Sequence, residues 1–136
     1  MARDRTTRAR RVVDRHLLPG ELVEAAVYGA FRDPLRRLSP LQRLEGFFGV
    51  LLGKAGVLVL TDRRLLVLPA RARERPGDRW LTAQLNRRGV LATAVEELGG
   101  LLEVTLTTGV GARRLLFRRR EVALGKDLAR RLGGRP

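Results

Sequence analysis

The stretch 57–68, which reads VLVLTDRRLLVL, constrains the fold of this chain more than any other. Two short runs of leucine and valine flank a polar tetrapeptide, Thr-Asp-Arg-Arg. Short apolar runs around a polar break predict a buried antiparallel hairpin, with strands over about 56–61 and 64–70. Asp62 suits the turn because its carboxylate can bond to nearby backbone, and we expect the two arginines after it to stay in solvent.

Alternating apolar residues predict further strands on both sides of this hairpin. Before it, Glu21–Phe31 is a predicted strand with Val23, Ala25, Val27 and Phe31 on one face. After it come predicted strands at Arg79–Arg87, Val90–Leu98, Leu102–Thr108 and Arg113–Arg119. The alanine-rich segment Val90–Leu98 fits a helix equally well.

Three segments carry the helical period. Leucines and phenylalanines recur at three- and four-residue steps within Leu35–Gly53, between the first two strands. Near the end of the chain a helix is predicted over Glu121–Leu132, with Leu124, Leu128 and Leu132 on one stripe and glycines after it. The arginine-rich start of the chain, residues 1–16, is either a solvated tail or a short amphipathic helix.

The fold class that follows is mainly β with α: seven antiparallel strands, a helical insert between strands 1 and 2, and a C-terminal helix. LTDRRLLVL, residues 60–68, resembles the hairpin of strands 2 and 3 in the bacterial pleckstrin-homology-like (PH-like) domains, a group similar to GRAM domains. The resemblance covers residues 17–134. It implies a sandwich or barrel capped by the C-terminal helix, and a binding and assembly module.

Size and composition are typical of one globular domain. The chain has 136 residues, 44% of them hydrophobic, and no cysteine, so neither disulfides nor a thiolate metal site holds it together. The arginine-rich start is followed by no apolar signal-peptide core. We therefore expect a cytoplasmic protein, with a peripheral position at the inner face of the membrane as a further expectation.

The charge is strongly positive and sits at the ends of the chain. The formal net charge is +14, and 26 of the 28 basic residues are arginine. Residues 1–20 carry a net charge of +4 and residues 110–136 carry +7, whereas the long middle carries only +3. This distribution predicts an anionic partner.

Catalytic patterns are missing from the sequence. His16 is the only histidine and Ser39 the only serine, so no set of nucleophile and base can be assembled. The segment from Gly49 to Ala55 lacks the spacing and the hydroxyl of a phosphate-binding loop. We expect no enzyme activity, no cofactor and no metal site.

Candidate anion-binding residues fall into two groups, one within Arg113–Arg120 and one in the insert, and ordinary solvated charge is the alternative interpretation of both. Arg118, Arg119 and Arg120 precede the last helix, where positive charge is unfavourable unless an anion offsets it. The other group lies in the insert. The full set of candidates is Arg118, Arg119, Arg120, Arg113, Arg114, Arg36, Arg37, Arg43 and Lys54. Arginines around Pro76-Gly77 have acidic neighbours and are interpreted as ordinary solvated charge.

The insert also contains an apolar stretch too short and too rich in glycine to span a bilayer. Its candidate contact residues are Phe47, Phe48, Leu51 and Leu52. They either enter a membrane interface or pack on the sheet or on a second subunit.

Three functions follow from these patterns. The leading hypothesis is a non-catalytic PH-like module that docks on acidic lipid headgroups or on an acidic protein partner, with homo-oligomerisation included. The second is a nucleic-acid-binding basic protein, which is less favoured because the chain has only six aromatic residues. A small-molecule carrier or enzyme is the third, and it lacks a recognisable polar-lined pocket.

Overall fold

The computed structural model describes residues 2–32, 55–69, 81, 83–109 and 111–133. Within these ranges the chain forms two α-helices, α1 (Ala2–Asp14) and α2 (Val122–Arg131), and two short 3-10 turns, Arg87–Gly89 and Arg119–Glu121. The described strands are β1 (Val23–Arg32), β2 (Ala55–Thr61), β3 (Arg64–Pro69), β4 (Ala83–Asn86), β5 (Leu91–Leu98), β6 (Leu101–Thr108) and β7 (Gly111–Phe117).

The strands form one antiparallel sheet in the order β4-β3-β2-β1-β7-β6-β5. Leu58 of β2 and Leu65 of β3 share a buried cluster with Leu102 and Leu106 of β6, so both halves of the sheet contribute to one core, consistent with a sandwich-like fold. The prediction of a mainly-β chain with seven antiparallel strands and a C-terminal helix is confirmed. The predicted helical insert lies outside the described residues.

The hairpin of β2 and β3 has the predicted position and turn. Val57 pairs with Leu68 and Leu60 with Leu65, which leaves Asp62 and Arg63 as the turn. Leu58 and Leu60 point into the main core, whereas Val57 and Val59 point into a second cluster on the opposite face. Since both faces of these strands are covered, the sequence is continuously apolar instead of alternating.

Helix α1 covers that second face. Ala9, Val12 and Val13 are fully buried against Tyr28 of β1 and the outward residues of β2 and β3. The start of the chain was interpreted as either a solvated tail or a short helix. In the structure it is a helix that begins at Ala2. The division into residues 1–16 and 17–134 stays a prediction.

A β-bulge changes the facing of residues in β1. The pairing with β2 shifts between Val23 and Ala25, so Val23 packs on the α1 side while Ala25 and Val27 face the main core. The prediction that these three residues share one face was therefore wrong for Val23, because a bulge inserts one residue and reverses the alternation.

Helix α2 packs against Phe117 at the end of β7. A Cβ added to Gly125 would lie 2.7 Å from the Phe117 ring, so only glycine permits this approach. Leu128 and Leu132 are buried as predicted, but Leu124 is 54% exposed, which corrects its placement on the core-facing stripe. The core-facing side of α2 runs through Gly125 and Ala129, and Leu124 lies off that side.

Candidate anion-binding surface

The three arginines predicted to bind an anion lie at the junction of β7 and α2. Arg118 follows the last residue of β7, and Arg119 and Arg120 occupy the 3-10 turn that leads into the helix. Arg119 and Arg120 are exposed, while Arg118 is half-buried and its Nε makes no hydrogen bond among the described residues. An external anion at this junction would therefore meet Arg119 and Arg120.

Glu121 places a negative charge within the same junction. Its side chain is buried, and its Oε2 accepts no hydrogen bond from the described residues. Burial raises the pKa of Glu121, and the positive charges of Arg118 and Arg120 oppose that rise. The Glu121 carboxyl group therefore offsets part of the positive charge of the three arginines, which we had expected an external anion to offset.

Arg113 and Arg114 lie near the other end of β7. They are half-buried and, as neighbours on a strand, point to opposite faces of the sheet. Arg114 pairs with Glu103 on β6 at 3.4 Å. A rise of about 3.3 Å per residue separates Arg113 from Arg118 by about 16 Å, so the two groups do not form one cluster.

The remaining predicted site residues fall in the insert. Both the basic candidates and the apolar ones lie outside the described residues; they are Arg36, Arg37, Arg43, Lys54, Phe47, Phe48, Leu51 and Leu52. Their roles stay predictions.

A row of exposed arginines on α1 was missed. Arg8, Arg10 and Arg11 are exposed around the buried face of the helix, and none forms an ion pair in the described part of the chain. Arg5, by contrast, donates a hydrogen bond to the Tyr28 hydroxyl at 2.9 Å and lies over its ring. The helical spacing of the apolar residues in this segment could have placed these arginines on the exposed side of a helix. The alternative interpretation, a solvated tail, gave them no defined positions.

The sequence analysis also missed a buried ion pair at the β2–β3 hairpin, where we expected both arginines to be exposed to solvent. Arg64 of β3 is 8% exposed, and its Nε and a terminal nitrogen donate to the Glu21 carboxylate at 2.8 and 2.9 Å. Thr61 and the backbone N–H of Leu18 donate to the same carboxylate. Chiefly because of the Arg64 hydrogen bonds, the pKa of Glu21 is lowered to about 2. The prediction that both turn arginines face solvent is wrong for Arg64.

Other arginines are neutralised by carboxylates between β1 and α2. Arg87 and Arg131 both pair with Glu24. Arg131 also pairs with Asp127 at 2.9 Å, and Arg130 pairs with the same carboxylate. These hydrogen bonds lower the pKa of Asp127. These arginines therefore have carboxylate partners, whereas Arg8, Arg10 and Arg11 on α1 have none among the described side chains.

The described ranges contain neither a metal-binding cluster nor a membrane-spanning helix. No group of three or more histidine, aspartate or glutamate side chains there is placed to hold a metal ion. No helix among the same residues is long and apolar enough to cross a bilayer.

Comparison with known proteins gives no match to a protein-family model and none to a curated protein.

Proposed function

We propose that this chain is a non-catalytic PH-like binding and assembly module that docks on an anionic surface. The LTDRRLLVL hairpin and a seven-stranded antiparallel sheet followed by a C-terminal helix support the family part of the proposal. Acidic lipid headgroups and an acidic protein both offer negative charge. Of the two, we favour the lipid surface.

The observation that carries the proposal is the group of exposed arginines on α1, Arg8, Arg10 and Arg11, which form no ion pair with the described side chains. Arg8 and Arg11 are three residues apart, so their like charges repel at a cost of about 0.2–0.5 kcal/mol. Their positions are fixed, because Ala9, Val12 and Val13 are packed on the sheet. Asp14 is exposed one turn after Arg10 and Arg11 and offsets part of their charge, and the positive charge that remains becomes more favourable when an anionic surface covers it.

The shape of this row favours lipid over a compact anionic ligand. The arginines lie on the outer side of a helix and not in a cavity, so they suit an extended layer of headgroups. Each arginine near an anionic leaflet contributes about 1 kcal/mol. Arg8, Arg10 and Arg11 together would strengthen partitioning by about two orders of magnitude, and salt would screen most of it.

Vesicle co-sedimentation tests the proposal. We expect binding to phosphatidylserine-containing vesicles, weak binding to pure phosphatidylcholine, and loss of the difference at high salt. The double variant Arg8→Glu/Arg11→Glu should lose most of the binding. Arg119→Glu/Arg120→Glu makes the same change in net charge at the β7–α2 junction, the other exposed candidate group, and shows how far binding depends on position.

The outcomes are distinct. Equal binding to anionic and neutral vesicles would remove the lipid proposal. Equal losses from the two double variants would show that net charge, not the α1 row, governs binding. Tight, steeply salt-dependent binding to duplex DNA without vesicle binding would favour the nucleic-acid alternative.

Self-association is the assembly part of the proposal. In the described sheet, β4 and β5 are the outer strands, and strand edges can pair with a second copy. Sedimentation velocity over a range of concentrations should reveal a reversible oligomer, and a single monomeric species at all concentrations would refute this part.

A further inference from the structure

Two leucines protrude from the loop that joins α1 to β1. Leu22 is 68% exposed and Leu18 46% exposed, although both lie close to the buried Glu21. Between them, Pro19 and Gly20 form the centre of a turn closed by a hydrogen bond from the Glu21 N–H to the Leu18 carbonyl. Gly20 has a φ of +80°, as a type II turn with proline before it requires.

The backbone that carries these leucines is held in place by carboxylates. The N–H of Leu18 donates to Glu21 at 3.0 Å, and the N–H of Leu22 donates to Asp62 at 2.9 Å. Asp62 returns a backbone hydrogen bond to the Leu22 carbonyl at 3.0 Å. Arg64 ties the loop down further by donating to the His16 carbonyl. The leucines are thus presented to solvent by an ordered loop.

Positive charge surrounds this loop. Arg63 is exposed, and its guanidinium lies 3.4 Å from where a Cβ on Gly20 would stand. Arg88 is exposed on the neighbouring 3-10 turn, which is joined to the hairpin by the Arg87 N–H to Arg63 carbonyl bond. Arg15 is exposed directly after the end of α1. The nearby acidic groups are Asp14 and Asp62, which are exposed, and Glu21, which is neutralised by Arg64.

We propose that this loop, residues 15–22, together with Arg63 and Arg88 is a preorganised membrane-docking tip, in which Leu18 and Leu22 enter the interface of an anionic bilayer while the arginines meet its phosphates. The inference rests on the proposed function and adds to the arginines of α1 an apolar membrane contact in the loop that follows this helix.

A lipid surface fits this tip better than a protein partner does. Two leucines with a basic rim are far smaller than the area of about 1,000 Å² that a stable protein interface buries. Reversible membrane attachment, by contrast, needs only a small apolar insertion combined with a polybasic patch. The tip supplies both signals on one fixed loop.

The absence of cysteine from the chain permits a direct test. A single environment-sensitive fluorophore is attached through Leu22→Cys, and in a matched control through Leu124→Cys, a leucine of similar exposure on α2. With phosphatidylserine-containing vesicles, the label at position 22 should shift to the blue and be quenched by brominated acyl chains. The label at position 124 should stay in water.

An unlabelled variant gives an independent measure. Leu18→Ser/Leu22→Ser should weaken partitioning by a factor of about ten or more, because the apolar contribution of both side chains is lost. Leu124→Ser should leave partitioning unchanged. Unfolding curves of the variants should match that of the parent, since all three side chains are exposed.

The two proposals fail in different ways. Vesicle binding without any change at position 22, or with the change at position 124 instead, overturns the docking tip and leaves the proposed function standing. No binding of the unaltered protein to anionic vesicles overturns both.

Discussion

Both carboxylate oxygens of Glu21 accept hydrogen bonds from the guanidinium of Arg64, with N···O distances of 2.8 and 2.9 Å. The pair is bidentate and buried, and Thr61 donates to the same carboxylate at 2.7 Å. It joins the loop before β1 to the start of β3. Bidentate hydrogen bonds between charged groups are strong, but removal of either partner leaves an uncompensated buried charge, which lowers the stability of the fold.

Replacing Glu21 with glutamine should therefore destabilise the protein strongly. Glu21→Gln keeps the size of the side chain but leaves the buried Arg64 charge without its counterion. We expect the free energy of unfolding to fall by about 3 kcal/mol in urea denaturation. Glu96→Gln, at an exposed residue of β5, should change it by less than about 0.5 kcal/mol. Equal stabilities for the two variants would show that the pair contributes nothing.

The same pair should make stability depend on pH. The pKa of Glu21 is about 2 in the folded protein against 4.5 for the ordinary group, so folding favours the ionised form. Its contribution, about 3 kcal/mol, is present above about pH 4.5 and is lost as the pH falls toward 2. Unfolding free energies measured from pH 6 to pH 2 should fall less steeply for Glu21→Gln than for the parent. Parallel curves would contradict this prediction.

Glu121 should act in the opposite sense. Because burial raises its pKa, its contribution to stability is full below the ordinary pKa and is lost as the pH rises through the folded-state value. At pH 7 the ionised carboxyl is thus unfavourable, and Glu121→Gln should stabilise the protein by about 1 kcal/mol, the scale of one unsatisfied buried polar group. At pH 4 the difference should shrink. Lower stability of the variant at pH 7 would show that attraction by Arg118 and Arg120 outweighs burial.

A methyl group at Gly125 should destabilise the protein despite the helix propensity of alanine. Gly125→Ala gains up to about 1 kcal/mol of propensity but places a Cβ 2.7 Å from the Phe117 ring. We expect a net loss of about 1–3 kcal/mol in thermal or urea unfolding. Gly89→Ala is the control, because nothing lies within 4 Å of its added Cβ. Combining Gly125→Ala with Phe117→Leu should recover part of the loss, and an additive double variant would rule out this contact.

The strands and the C-terminal helix were predictable because burial leaves a periodic record in the sequence. Alternation marks β6, where Leu102, Val104 and Leu106 are buried and their neighbours are not. The continuous apolar runs of β2 and β3 mark strands covered on both faces. The bulge at Glu24 was not predictable, since nothing in the local residue types distinguishes a bulged strand from a regular one.

The candidate surface was harder to predict, because the residue type alone does not show whether a charged side chain is paired, buried or exposed. Arg63 and Arg64 are neighbours in one turn, yet the first is exposed and the second is enclosed by Glu21. Their difference depends on a carboxylate more than forty positions away, and no periodicity records that contact. The exposure of Leu124 was also not predictable. It lies four residues before the buried Leu128, and in a short helix this spacing alone does not show where the buried side ends.

Phe117 links two glycines that are far apart in the chain. A Cβ at Gly29 on β1 or at Gly125 on α2 would come within 2.8 Å of its ring. The ring thus sets the spacing between strand and helix, and a side chain at either glycine position requires a smaller residue at position 117. In a relative of this protein, a side chain at either position should occur alongside a smaller residue in place of the phenylalanine.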